Sequence, residues 1–176
     1  MTKTHSNWRN SKSKECMEFI KWAKNNNWDI VYNEQGELKL NESILDRYKK
    51  IPNNYLDFLK IIKQAISPNE KTWFICEDEY NNNSDIAFKW NEFEIMSLEV
   101  AEDDQEWKEE ITAWWDKHLP IIMSVDDGYS FYAIDLTDAK ECIVKGYEPE
   151  FEEVEKVADS IEEFLDLIMS NEIEIR

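Results

Sequence analysis

HLPIIMSVDDGYSFYAIDL, residues 118–136, holds two apolar runs on either side of an acidic turn. Ile121, Ile122, Met123 and Val125 form the first run, and Tyr129, Phe131, Tyr132, Ala133, Ile134 and Leu136 form the second. Between them, Asp126-Asp127-Gly128 supplies the residue types that accept positive φ, so the spacing predicts a β-hairpin with a tight primed turn. Each run is apolar on both alternating faces, which predicts a central strand pair covered from two sides. Pro120 has no amide hydrogen and fits the first strand position, where no ladder donor is needed.

Working outward, the chain alternates helical and extended patterns. Cys16, Phe19, Ile20 and Ala23 recur at helical spacing after Ser13, and Asn25-Asn26-Asn27 ends that run. Residues 28–32 and 37–40 flank Asn33 to Gly36 and read as a small hairpin, with a short helix over 43–49 to follow. From Ile51-Pro52 a helix is expected to run to Ile66, with Tyr55, Phe58, Leu59, Ile62 and Ile66 on one stripe and Pro52 at its first position. Strands are expected over 71–76 and 85–90, while 92–100 fits strand or helix. Residues 102–118 form an amphipathic helix with Trp107, Ile111, Trp114, Trp115 and His118 on its apolar stripe. A strand at 142–144, an acidic and partly extended connection over 146–157, and a last helix opened by Ser160 and Glu163 as a capping box complete the chain. The elements so read mix helices and strands around the central hairpin.

A chain of 176 residues has the size of one domain, of the kind that buries about 70% of the surface its unfolded chain exposes. The net charge of −19 is unevenly spread: residues 1–71 carry 13 Lys/Arg against 9 Asp/Glu, residues 72–140 carry 4 against 18, and residues 141–176 carry 3 against 12. Such a surface repels nucleic acid and anionic membrane and attracts a basic protein, although the same charge also serves solubility alone. Cys16, Cys76 and Cys142 lie 60 and 66 residues apart within apolar patterns, as buried free thiols do. The first residues, MTKTHSNWRNSKSK, are polar and expected to be mobile, and they lack the apolar core of a signal peptide; with no apolar run of about 18 residues, a cytoplasmic protein is expected.

Candidate chemistry is sparse. Glu77-Asp78-Glu79, Glu102-Asp103-Asp104 and Asp126-Asp127 are carboxylate clusters, but adjacent carboxylates diverge on a strand or helix and lack the alternating spacing of a calcium loop. His118 could serve as an acid or base, yet a histidine at a helix C-terminus is favoured by the dipole alone, and His5 lies in the tail. Neither a zinc set, a phosphate loop nor a nucleophile elbow can be assembled, so no enzyme, cofactor or metal is expected. The Trp107, Trp114 and Trp115 stripe fits a core better than a stacking platform for bases. Trp90 and Trp28 are less constrained, and an exposed aromatic ringed by acid suits a protein-binding hot spot.

Taken together, Ile51-Pro52-x-x-Tyr55-x-x-Phe58-Leu59, Leu119-Pro120-Ile121, Gly128 before Phe131-Tyr132-x-Ile134-Asp135-Leu136, and Asp159-Ser160-Ile161-Glu162-Glu163-Phe164-Leu165 resemble the SUKH superfamily, the Smi/Knr-like domain, over roughly residues 43–170. Ala65-Ile66-Ser67-Pro68-Asn69 replaces the glycine-rich turn that often follows the first family helix, and residues 1–42 stand before the resembling region as an extension to a domain over 43–176. The resemblance implies an α+β interaction domain with an initial helix, a mostly antiparallel twisted sheet packed by helices and a C-terminal helix, and the elements read from the residues agree with it. In bacteria it implies a cytoplasmic immunity protein that neutralises a cognate polymorphic or contact-dependent toxin, often a nuclease; in fungi, a scaffold in cell-wall and signalling regulation. On the first of these, Glu77, Asp78, Glu79, Glu102, Asp103, Asp104, Asp126 and Asp127, with Trp90, would meet a basic toxin where its phosphate ligands bind. Nucleic acid and membrane are not expected as partners.

Overall fold

The computed structural model describes residues 14–137 and 141–175; the N-terminal stretch with His5 lies outside them. Seven strands pair in chain order, each antiparallel to the next: β1 (Asp29–Tyr32), β2 (Ile62–Ile66), β3 (Thr72–Phe74), β4 (His118–Ser124), β5 (Ser130–Asp135), β6 (Ile143–Tyr147) and β7 (Glu155–Ala158). The helices are α1 (Lys14–Asn25), α2 (Glu42–Arg47), α3 (Asn53–Ile61), α4 (Glu77–Tyr80), α5 (Glu92–Val100), α6 (Gln105–Asp116) and α7 (Ile161–Met169). The chain is thus α+β, as its patterns imply. Strand β1, from the segment set apart as an extension, is hydrogen-bonded to β2, and α1 packs on α7.

Strand β4 is buried at every position and stands fourth of seven, with β5 beside it. Successive side chains point to opposite faces, so the register assigns the helices. Phe74, Ile122 and Tyr132 form one cross-strand row, in which Phe74 meets Phe19 of α1 and Phe58 of α3 while Tyr132 meets Phe164 of α7. Trp73, Met123, Phe131 and Gly146 form the row on the other face. There Phe131 meets Phe93 of α5, Trp114 and Trp115 of α6, and Phe151 of the β6–β7 connection.

Several expectations change. Helix α3 stops at Ile61 and residues 62–66 become strand β2, because Ile62 and Ala65 are buried while β1 and β3 supply ladder partners. Ile62 fits a helical stripe and a strand face alike, which is why periodicity extended the helix. Pro52 is the N-cap of α3, one position outside the first helical residue. Residues 37–40 form no strand; β1 takes β2 as its partner instead. Residues 85–90 form no strand either, although Ile86, Phe88 and Trp90 alternate inward, since alternation reports facing and not a ladder neighbour. Residues 92–100 are helix α5. His118 begins β4 and does not end α6.

Pro120 is the third residue of β4, at an irregularity between Pro120 and Ile122 that spares the missing donor. The hairpin connection spans 125–129, with Asp127 and Gly128 both at positive φ, 54° and 91°. The predicted residues adopt the predicted conformations in a longer loop. At α7, Ser160 Oγ accepts from Glu163 N at 3.1 Å, whereas Glu163 reaches Asp159 N at 3.0 Å.

Gly146 carries the close packing of the α5–α6 face. A Cβ there would lie 2.5 Å from the Phe131 ring and 2.6 Å from the Phe151 carbonyl oxygen. Gly146→Ala is expected to lower the unfolding free energy by about 1–3 kcal/mol through overpacking, read as an earlier denaturation midpoint. Gly36, with no atom within 4 Å of its Cβ position and φ of +67°, is the control: Gly36→Ala adds backbone strain of about 1 kcal/mol without crowding.

Candidate functional site

The three carboxylate clusters occupy different places. Glu77, Asp78 and Glu79 are the acidic turn of α4: Glu77 Oε1 accepts from Lys39 N at 2.5 Å, and Glu79 turns back to accept from Cys76 N at 3.3 Å. Glu79 is buried, and so is Trp90, which packs against Tyr48 and Tyr80. Neither presents the surface contact assigned to it. The apolar stripe of residues 86–90 drives Trp90 inward, and the cap draws in Glu79. Both line a cleft of about 730 Å³ with Arg47 and Lys89, so positive charge is already present there.

Glu102, Asp103 and Asp104 are exposed in the turn between α5 and α6, with Glu102 at φ 50°. Asp104 is the N-cap of α6, its carboxylate accepting from Trp107 N at 3.0 Å. Its replacement therefore costs about 1 kcal/mol of helix stability, and tests of charge belong on Glu102 and Asp103. Asp126 and Asp127 lie at the hairpin tip, where the next residues touch Glu148: Tyr129 N donates to Glu148 Oε1 at 3.2 Å.

Glu148 also lines a groove of about 510 Å³ that shares no lining residue with the Glu79 cleft. Helix α5 contributes Met96, Ser97 and Val100, helix α6 contributes Trp107, and the β6–β7 connection contributes residues 148–153. Val100 is 67% exposed and Trp107 44% exposed. Trp107, in the first turn of α6, thus leaves the core stripe that Ile111 and Trp115 follow and lines the groove instead. The rim carries Glu148, Glu150, Glu152 and Glu153, with no Lys or Arg in the lining. Below it, Phe151 is buried and stacks on Phe93 with ring centroids 4.7 Å apart, which anchors the acidic connection to the core. Glu152 Oε2 accepts from Ser97 Oγ at 2.8 Å and Trp115 Nε1 at 3.2 Å, and burial raises its pKa.

The sequence signals for this groove were the run Glu148-Pro149-Glu150-Phe151-Glu152-Glu153 and the distance of Trp107 from Ile111 at the acidic start of α6. Read as a connection and a core stripe, they did not point to one place. Contact between α5, α6 and the β6–β7 connection is what joins them.

His118 is buried and stacks on Trp114 with centroids 3.8 Å apart. Its Nδ1–H donates to the Trp114 carbonyl at 2.6 Å, and burial lowers the ring's pKa, which favours this neutral form. Cys16, Cys76 and Cys142 are buried, with no disulfide among the described residues, and desolvation raises the thiol pKa of Cys16 and Cys76. Among the described residues no trio of His, Cys, Asp or Glu is placed to hold a metal ion, and no helix is long and apolar enough to cross a membrane.

A family model described as the SMI1 / KNR4 family (SUKH-1) matches residues 22–167, most of the 176-residue chain. The match begins at Trp22, within α1, and ends at Leu167, within α7. A search of curated proteins found no match.

Desolvation raises the Glu79 pKa from 4.5 to about 7, against the opposing hydrogen bond from Cys76 N. Folded protein then holds the proton more tightly than unfolded chain, so this contribution to stability is full below about pH 4.5 and is lost as pH rises through about 7. Glu79→Gln removes the titration and keeps an acceptor for Cys76. Its unfolding free energy minus that of the wild type is expected to grow by about 1–3 kcal/mol from pH 5 to 7.5, measured by urea denaturation. A difference that stays level with pH would mean that Glu79 titrates as an ordinary carboxylate.

Proposed function

The chain belongs to the SMI1 / KNR4 family (SUKH-1), and from that membership and the acid-rimmed groove we propose that it is a cytoplasmic immunity protein that binds and occludes a basic toxin, such as a nuclease. It transforms no substrate. The observation that carries this reading is an exposed tryptophan in a groove also lined by Glu148, Glu150, Glu152 and Glu153 and by no Lys or Arg, on a molecule of net charge −19. A nuclease cleft is built to attract phosphates, and carboxylates fixed on a rigid surface compete for the same cations. Glu102, Asp103 and Asp127, all exposed, extend the negative field beyond the groove.

Family membership alone also accommodates a regulatory or scaffold module, and gene context separates the two. The decisive experiment co-expresses the chain with the product of the gene beside it in a bacterial host. Restored growth supports immunity; a neighbour that is harmless alone and does not bind removes it. With a binding pair in hand, Glu102→Lys combined with Asp103→Lys is expected to slow association by about tenfold at low salt and to flatten its salt dependence, without moving the thermal melt by more than about 2 °C. Association as fast and as salt-sensitive as the wild type would exclude this face as the binding surface.

A further inference from the structure

We propose that the Trp107 groove is the docking site for a lysine- or arginine-rich segment of the partner protein that carries one or two large apolar side chains; this rests on the immunity reading for the partner's biological identity, not for its chemistry. The floor and the rim ask for different things. Trp107 and Val100 are 44% and 67% exposed beside Met96, and such a surface gains by covering with apolar atoms. Its volume of about 510 Å³ lies within the range of about 300–1,000 Å³ typical of sites that enclose a ligand or a few side chains.

The rim of Glu148, Glu150, Glu152 and Glu153 has no cation among the lining residues. A polyanion or an anionic bilayer is repelled by it, and a neutral apolar peptide leaves its charges unused. A segment with an apolar centre and basic flanks satisfies both parts at once. Glu152 is already held by Ser97 and Trp115, so one carboxylate of the rim is oriented before any partner arrives. This matches the anatomy of strong protein interfaces, in which a central aromatic residue is enclosed by a polar ring.

The test uses the full chain and three synthetic peptides of equal length, composed of Lys and Leu, Lys and Ser, or Glu and Leu. Binding is followed by the Trp107 indole N–H resonance, assigned through Trp107→Phe, and by the backbone amides of residues 148–153. The Lys/Leu peptide is expected to shift these signals saturably, with an affinity that falls as salt rises. The Lys/Ser peptide should bind at least about tenfold more weakly and the Glu/Leu peptide not detectably. Trp107→Ala should weaken Lys/Leu binding about 30-fold, the size of an interface hot spot of about 2 kcal/mol. Glu150→Gln with Glu153→Gln should flatten the salt dependence while leaving the melt unchanged.

Equal binding of the Lys/Leu and Lys/Ser peptides, equal binding of the Lys/Leu and Glu/Leu peptides, or shifts confined to residues elsewhere would each overturn the proposal. So would line-broadening at Trp107 that tracks protein concentration without peptide, which would make the groove a contact between copies of this chain. Failure of the underlying reading looks different. If the Lys/Leu peptide behaves as expected but the adjacent gene product does not bind, the groove stands and immunity falls. A neighbour that protects cells and binds Trp107→Ala as tightly as the wild type leaves immunity standing and removes the groove.

Discussion

A strand buried on both faces must satisfy every polar group without help from bulk water, and β4 imposes that demand on everything around it. Its backbone is paired to β3 and β5. At the irregularity caused by Pro120, the freed carbonyl accepts from Tyr80 at 2.6 Å, and Tyr55 bonds both Tyr80 and the Ile75 carbonyl at 2.9 Å. Thr72 and Ser124, buried opposite one another, share a hydrogen bond of 2.8 Å. These bonds fix α3 and α4 against the sheet, so the polar cost of a fully covered strand becomes the registration of two helices. His118 follows the same rule: entering the core, it donates its Nδ1–H to the Trp114 carbonyl, and burial disfavours the charged ring.

The second face of the sheet converts that rigidity into a surface. Phe131 lies over Gly146, and the space left by the missing side chain lets Phe151 close against Phe93. The acidic residues flanking Phe151 are thereby held beside α5 and α6. Charge in this region is also divided by partner. Glu94 is buried and paired with Arg47 through two bonds of 2.8 and 2.6 Å, and Asp116 takes the third guanidinium contact at 2.7 Å, joining α2, α5 and α6. The glutamates of the groove rim have no such cation in the lining. Glu94 is thus neutralised by Arg47, whereas Glu152 is held by neutral donors, Ser97 and Trp115, and keeps its place on the groove.

Where side-chain burial follows one period without competition, the sequence was sufficient. Cys16, Phe19, Ile20 and Ala23 are all buried, as are Ile161, Phe164, Leu165 and Ile168, and both runs are helices. The central hairpin was legible because two apolar runs bracket residues that accept positive φ. Failures came where two periods agree or where a neighbour decides. Ile62 satisfies helix and strand spacing, and only pairing with β1 selects the strand. Residues 86–90 alternate inward, yet no strand lies alongside them. For the candidate site, composition placed the acid downstream of residue 71 but could not say which acidic residues share a surface. The structure shows that directly: Trp90 is buried against Tyr48 and Tyr80, whereas Trp107 is exposed and lines the acidic groove.

In the proposed role, an acidic rim around an apolar centre would separate two requirements of an inhibitor. Rim carboxylates keep much of their hydration, so each contributes little to equilibrium affinity but adds to a field that reaches about a Debye length, roughly 8 Å at physiological salt. That field governs how often a basic partner arrives correctly oriented. Residence is set by what is desolvated afterwards, and in the proposed docking that would be Trp107 with Val100 and Met96, which line the groove. Moving the charge to the centre would add the penalty of burying ions, and moving the apolar surface to the rim would leave it exposed to other proteins. On the proposed docking, this placement would give rapid capture by charge and slow release by apolar contact, from side chains held by the core beneath them.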